Sequence, residues 1–202
     1  RMPTESTPSS SDPALATYNS PIGRLTLAAW GGSIVGVWVA GQRFFGRLYG
    51  INEVVAPSSV DLTSPDSRDS VCAEAKWDEA DARALGAAAS WLDDYVAGAA
   101  PSPAAVPLAP TGTDFQRRVW EAMDTIPYGA TRTYGQIVAQ LLEAGVPASA
   151  QAVGGAVGRN PLLLIRPCHR VVAASGPGGY AAGTEAKAWL LAHEAATASS
   201  VS

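Results

Sequence analysis

The segment Arg159-Asn160-Pro161-Leu162-Leu163-Leu164-Ile165-Arg166-Pro167-Cys168-His169-Arg170-Val171-Val172 sets a cysteine beside an imidazole and between two guanidinium groups. Cysteine attacks as its thiolate, and cationic neighbours lower its pKa, so this setting is expected to favour a reactive Cys168. The plainer alternative for a lone cysteine is an inert, buried small hydrophobe. Adjacent side chains seldom face each other, which makes a bridging water the expected link between His169 and Cys168. A histidine base needs an orienting partner. Carboxylate candidates lie on the last helical stretch, where Thr184 can cap, Trp189, Leu190 and His193 mark a buried face, and Glu194 follows. Arg166 ends an otherwise apolar run, and either lowers the Cys168 pKa or pairs with a local carboxylate.

The remaining composition narrows the class. No apolar run of the 202 residues reaches the roughly 18 needed to span a bilayer, which excludes an integral helical membrane protein. Residues 1–15, RMPTESTPSSSDPAL, lack the apolar stretch of a secretory signal, so a cytoplasmic location is expected. Two cysteines, Cys72 and Cys168, and two histidines make neither a disulfide scaffold nor a structural zinc site. The net charge of −4 is uneven: residues 1–110 carry 7 basic and 12 acidic side chains, residues 111–202 carry 7 and 6. If Arg117, Arg118, Arg132, Arg159, Arg166 and Arg170 shared a face, the second half could meet phosphates; ordinary solvated surface is the alternative. The Gly-rich stretch 176–183 follows no βαβ pattern, so it is not a dinucleotide fingerprint.

Several elements must position this chemistry. Residues 1–14 are Ser/Pro/Thr-rich and read as disordered. Alternation over 24–30, the Gly31-Gly32 turn and the β-rich run 33–40 predict three short antiparallel strands with the segment before Pro21. Residues 56–75 read as a surface loop with Cys72 at its end. Ala82, Leu85, Ala89, Trp91, Leu92 and Tyr95 predict a helix over 78–96, and 98–112 reads as an interdomain linker. Thr113-Asp114-Phe115-Gln116 and Thr133-Tyr134-Gly135-Gln136 are capping boxes, each opening an amphipathic helix. A third helix over 148–157 is built of very small residues. Helix, short Gly-containing turn, helix suggests a helix-turn-helix, its small residues allowing close approach to a DNA backbone or to a neighbouring helix.

Pro167-Cys168-His169-Arg170-Val171 resembles the active-site motif of the O6-alkylguanine-DNA alkyltransferases, the methylated-DNA–protein-cysteine methyltransferases. The resemblance extends through Thr113-Asp114-Phe115-Gln116, Ile126-Pro127-Tyr128-Gly129, Thr133-Tyr134, Ala152-Val153-Gly154 and Asn160-Pro161 to Trp189-Leu190-Leu191-Ala192-His193-Glu194. That is essentially all of 112–194, in matching order and spacing; the first half resembles the family mainly through Ser20-Pro21-Ile22-Gly23 and the strands after it.

The resemblance implies an α/β two-domain fold. A small RNase H-like N-terminal domain with an antiparallel sheet (15–98) would precede a linker (99–111). A helical, winged-helix-like domain with the helix-turn-helix (112–196) and a tail (197–202) would follow. It implies DNA repair by direct reversal: a monomer transfers an alkyl group, irreversibly and once, from O6 of guanine (or O4 of thymine) to its own Cys168, with no cofactor or metal. The implied partner is double-stranded DNA carrying O6-alkylguanine, approached from the minor groove with the base flipped out; the implied location is the bacterial cytoplasm, at the nucleoid when engaged. His169 would activate Cys168 through water, Glu194 would orient His169, Asn160 would be the hinge, and Tyr180 would donate to the guanine ring. Tyr134, Gln151, Ser149, Arg170, Val171, Val157 and Ala181 would contact substrate or DNA, with the Cys168 and Val171 carbonyls reading the exocyclic amine. Gln151 stands where the family usually places an intercalating arginine, which predicts slower extrusion of the base. Arg166 stands where an aliphatic residue is common. A regulator or lesion sensor that binds alkylated DNA is the alternative outside this class; a Cys–His hydrolase is the rival enzyme, and would need an oxyanion site.

Overall fold

The computed structural model describes residues 12–46, 51, 60–75 and 77–198. Strands β1 (Ala14–Ser20), β2 (Gly23–Trp30) and β3 (Ser33–Val39) form the expected antiparallel meander. Gly31 and Gly32 both adopt positive φ (+61° and +77°), the requirement of a two-residue hairpin whose twist matches its strands. A fourth strand, β4 (Val60–Asp61), adds in parallel to β1, giving the order β3-β2-β1-β4. Helix α2 (Glu79–Val96), capped by Asp78, lays Leu85, Ala88, Ala89 and Leu92 in one core with Leu25, Leu27, Ile34 and Val37 of the sheet.

The expected surface loop over 56–75 is overturned in its second half. Residues 65–74 form helix α1 (Pro65–Glu74), Cys72 among them. Its composition is that of a loop, but proline is well suited to a first helical turn. Arg68, buried, then ties the helix down through Leu62 O (2.7 and 3.1 Å) and Asp93 (2.9 Å). A long-range ion pair thus outweighs local propensity. Residues 52–59, like 1–11 and 199–202, lie outside the described set.

The Ala/Pro-rich connection after α2 does not hang free. It contains a 3-10 turn at Pro103–Ala105, buries Val106, and runs along β3, where Ile34 N–H donates to Pro107 O (2.7 Å) and Ala109 N–H to Ile34 O (3.0 Å). The same edge takes up the segment before the cysteine: Val37 N–H donates to Pro161 O (2.7 Å) and Leu163 N–H to Val37 O (3.1 Å). One apolar core consequently continues from the sheet to Leu190.

Both capping boxes form, opening α3 (Asp114–Asp124) and α4 (Tyr134–Glu143), and Ser149 caps α5 (Ala150–Gly158). The three helices pack on one another, with Trp120 Nε1–H donating to Ala156 O (3.0 Å). Short strands β5 (Arg132–Thr133) and β6 (Val171–Val172) pair in parallel, tying the start of α4 to the cysteine turn. The last helix, α6 (Thr184–Ala198), begins at Thr184 itself, with Lys187 N–H bonded to Gly183 O. Its buried face is Ala186, Lys187, Leu190 and Glu194 rather than the expected Trp189–Leu190–His193. Trp189 and His193 are half-buried and stack at 4.7 Å. Among the described residues no helix is long and apolar enough to cross a membrane.

Candidate active site

Leu162, Leu163, Leu164 and Ile165 are all buried, so the run that follows α5 is anchored before it delivers Pro167 and the 3-10 turn Cys168–Arg170. Asn160 ties the two ends of this run together. Its Nδ2 lies 3.3 Å from Leu162 O, 3.1 Å from Arg166 O and 3.2 Å from Cys168 Sγ, while its Oδ1 accepts from Leu162 N–H at 3.1 Å. One buried amide thus sets both the loop and the sulfur it presents.

Cys168 is buried, and burial pushes its thiol above the ordinary value. The Asn160 hydrogen bond, the Lys187 charge, a backbone contact and, last, the Arg166 charge work against that rise without overcoming it. The flanking cations thus favour the thiolate less than their places in the sequence suggest, because burial is the larger influence. The two arginines are occupied elsewhere. Arg166 is bound to Asp124 through Nε (3.1 and 3.2 Å) and Nη2 (3.2 Å) and lies over the Trp120 ring. Arg170 turns inward to Glu194 through Nε (2.8 Å) and Nη2 (3.1 Å), and to Ile126 O (2.8 Å). Of the two roles left open for Arg166, pairing with a carboxylate is the dominant one.

His169 is fully buried and its pKa is lowered, by burial first, against the raising influence of Glu194. Its Nε2 lies 2.6 Å from Glu194 Oε1. A carboxylate can only accept there, which assigns the proton of the neutral ring to Nε2 and leaves the Nδ1 lone pair open. Nδ1 is buried and has no hydrogen-bond partner among the described residues. Burial works to raise Glu194, yet the His169 and Arg170 donors hold it down at about 2. Gly129 N–H adds a further bond to Oε2 (3.0 Å). Gly129 has φ +76°, and a Cβ there would sit 2.7 Å from Ala198 Cβ, so the approach to α6 requires glycine.

A cleft of about 310 Å³ opens beside the sulfur. Tyr134, Val157, Asn160, Cys168, Tyr180 and Ala181 line it, together with Gly154 and Gly155 of α5. The Tyr180 hydroxyl is buried without a hydrogen-bond partner among the described residues, and burial together with the nearby Cys168 keeps it protonated well past its ordinary pKa. Val171 O accepts from Lys187 Nζ (2.6 Å), and Cys168 O accepts from Val171 N–H, so both carbonyls already carry one bond. Ser149 and Gln151 stand apart from the cleft, exposed at the start of α5.

Four participants escaped the sequence reading. Tyr95, on α2, donates to Glu194 Oε1 at 2.7 Å; its place in an apolar stripe marks it only as core. Lys187 is fully buried and bridges Val171 O and Gly179 O (3.1 Å). The i, i+3, i+7 spacing of Lys187, Leu190 and Glu194 could have revealed it. Arg43 and Phe44 line the cleft from the segment after β3, in a region to which sequence patterns assign no role.

Comparison with known proteins agrees with this geometry. Residues 114–196 match the family described as 6-O-methylguanine DNA methyltransferase, DNA binding domain. The methylated-DNA–protein-cysteine methyltransferase of Mycobacterium bovis is 39% identical over 176 residues, covering 87% of this chain and 88% of the relative. The Mycolicibacterium paratuberculosis protein of that name is 54% identical over 84 residues, covering 41% of this chain and 49% of that protein. For the Mycobacterium leprae protein the shared stretch covers 64% of its length at 50% identity. The crystal structure of Mycobacterium tuberculosis OGT in complex with DNA superposes with a TM-score of 0.64 at 35% identity, covering 91% of this chain and 93% of that one. Identity that runs nearly end to end with the M. bovis protein, together with a family match over the residues 114–196 that hold Cys168 and Glu194, shows that the chain belongs to the methylated-DNA–protein-cysteine methyltransferase family.

Proposed function

We propose that the chain repairs DNA by moving an alkyl group from O6 of guanine to Cys168, once per molecule. The observation that carries this reading is a cleft lined by a buried cysteine and by Tyr180, whose buried hydroxyl has no protein partner among the described residues, with the likewise unpartnered Nδ1 of His169 on the residue next to that cysteine. Buried polar groups are normally satisfied, and unsatisfied ones point to a ligand, a water or a catalytic task. In this reading His169 Nδ1 takes the thiol proton through a water, Glu194 stabilises the resulting imidazolium, and Asn160 steadies the sulfur. The thiolate attacks the alkyl carbon; the S–C bond forms as the C–O6 bond breaks, and the bonding pair stays on the guanine. Tyr180 donates toward the guanine ring as negative charge develops, and the proton lost by Cys168 is the one that guanine regains overall. The sum is a thioether and a normal guanine, with no further reactant.

The DNA half of the reading rests on α4, the turn and α5 acting as a helix-turn-helix. Gln151 and Ala152 are exposed on α5, and Gly154 and Gly155 follow along the same helix as part of the cleft wall. Small residues permit the close minor-groove approach that bulky side chains would block. Tyr134 would press on the phosphate beside a base turned out into the cleft. The sheet half, RNase H-like in this reading, supports the helical half as a monomer. Arg170 is not counted among the DNA contacts, because its donors are directed to Glu194 and Ile126.

Intact-protein mass after incubation with an O6-methylguanine oligonucleotide, or with O6-benzylguanine, tests the proposal. An alkyl increment on Cys168, absent from Cys168→Ala, is expected. Turnover without an adduct would point to hydrolysis, and binding without transfer to a regulator; either result overturns it.

A further inference from the structure

Phe44 lines two cavities, the 310 Å³ cleft that holds Cys168 and a space of about 500 Å³ lined also by Trp38, Trp120, Pro161 and Gly112. Phe44 borders both, and so do its two neighbours in space, Arg43 and Arg159. The ring packs against both guanidiniums, with Arg43 Cζ 4.9 Å and Arg159 Cζ 4.8 Å from its centroid. Its backbone has φ +70°, the left-handed region that a phenylalanine rarely adopts. The strain is confined by what surrounds it. Gln42 is buried and accepts from Val39 N–H at 2.9 Å, and Phe45 is buried against Trp38 with ring centroids 5.6 Å apart. One of two consecutive phenylalanines anchors the segment, and the other is left half-buried at the boundary.

We infer that Phe44 sets the size of alkyl group the protein accepts, by partitioning the cysteine cleft from the larger apolar space behind it. The inference rests on the alkyl-transfer reading of Cys168. A methyl group needs nothing beyond the cleft. An arylmethyl group such as benzyl needs apolar volume near the sulfur, and Trp38, Trp120 and Pro161 supply it on the far side of the Phe44 ring. Shrinking the ring joins the two spaces; enlarging it closes them further. Apolar pockets discriminate between groups that differ in size by about 10- to 200-fold in rate, so the effect lies within easy measurement.

The test compares single-turnover rates of Cys168 alkylation on duplexes of one sequence carrying either O6-methylguanine or O6-benzylguanine, followed by intact mass. Phe44→Ala is expected to raise the benzyl-to-methyl rate ratio by about tenfold, and Phe44→Trp to lower it. Arg159→Gln, which removes one of the two guanidiniums packed on the ring, is expected to raise the ratio by a smaller factor. Melting curves of each variant establish that a fold is present. A ratio that stays within about twofold of the parent in both Phe44 variants, with adducts still forming, overturns this inference alone. Absence of any adduct from the parent protein on both duplexes overturns the alkyl-transfer reading, and this one with it.

Discussion

Tyr95 and Glu194, 99 positions apart, share a 2.7 Å hydrogen bond, and the oxygen that accepts it, Oε1, is the one that also faces His169 Nε2 at 2.6 Å. Helix α2 packs on the sheet, yet its last turn reaches the carboxylate that orients the histidine. Tyr95 is stacked on Trp91, meets Tyr128 and His169 edge-on, and its carbonyl pairs with His193 Nε2 at 2.8 Å. The two halves of the chain therefore meet at the reactive centre.

Tyr95→Phe keeps the ring and removes one donor to a buried carboxylate. Hydrogen bonds to charged groups are worth about 1.5–3 kcal/mol, so a loss of that order is expected in chemical denaturation. Cys168 alkylation should slow as well, since Glu194 then holds His169 less firmly. A variant with parental stability and parental rate would show that the contact is incidental.

Acid should destabilise the protein in two stages. His169 has a folded pKa below its ordinary 6.5, so as pH falls past about 6.5 the unfolded chain gains a proton that the folded one refuses. Glu194 is held at about 2 against an ordinary 4.5; its contribution is complete above 4.5 and is lost as pH falls from there toward 2. Melting temperature against pH should decline below 6.5 and steepen below 4.5. Glu194→Gln should flatten the second stage while costing about 3–5 kcal/mol at neutral pH, because it strips Arg170 of a buried partner.

Lys187→Met removes a buried cation that opposes the rise in the Cys168 pKa. The pH profile of Cys168 alkylation by iodoacetamide should move toward alkaline pH. Leaving Val171 O and Gly179 O without their donor should cost about 1–3 kcal/mol. A loss of stability with an unmoved pH profile would reduce Lys187 to a structural brace.

Gln151→Arg tests the exposed start of α5. A guanidinium fills and holds the space of an extruded base better than a neutral amide. A gain of about 1.4 kcal/mol in the transition state is a factor of about ten, and the ratio of duplex to free-base reaction rates should rise accordingly. An unchanged ratio would remove Gln151 from base extrusion.

The sequence alone was sufficient where the signal is local. The capping boxes at Thr113 and Thr133, the Gly31-Gly32 hairpin and the helix opened by Asp78 all formed, because each is decided by residues a few positions apart. The Cys168–His169 pair is legible because the two share one short segment, whereas Asn160 and the choice of Glu194 as the orienting carboxylate rest on the family resemblance. Helix α1 is not legible in the sequence, since its stability comes from Arg68 reaching Leu62 and Asp93 rather than from its own composition. The surroundings of Cys168 are hidden from the sequence for a similar reason. Arg166 and Arg170, each two positions from the cysteine, are paired with Asp124 and Glu194, carboxylates 42 and 24 residues away, while burial raises the thiol. Residue types and spacing determined which atoms could react. Only the tertiary structure decided which of them are free to do so, because desolvation and ion pairing depend on neighbours that the chain brings together from a distance.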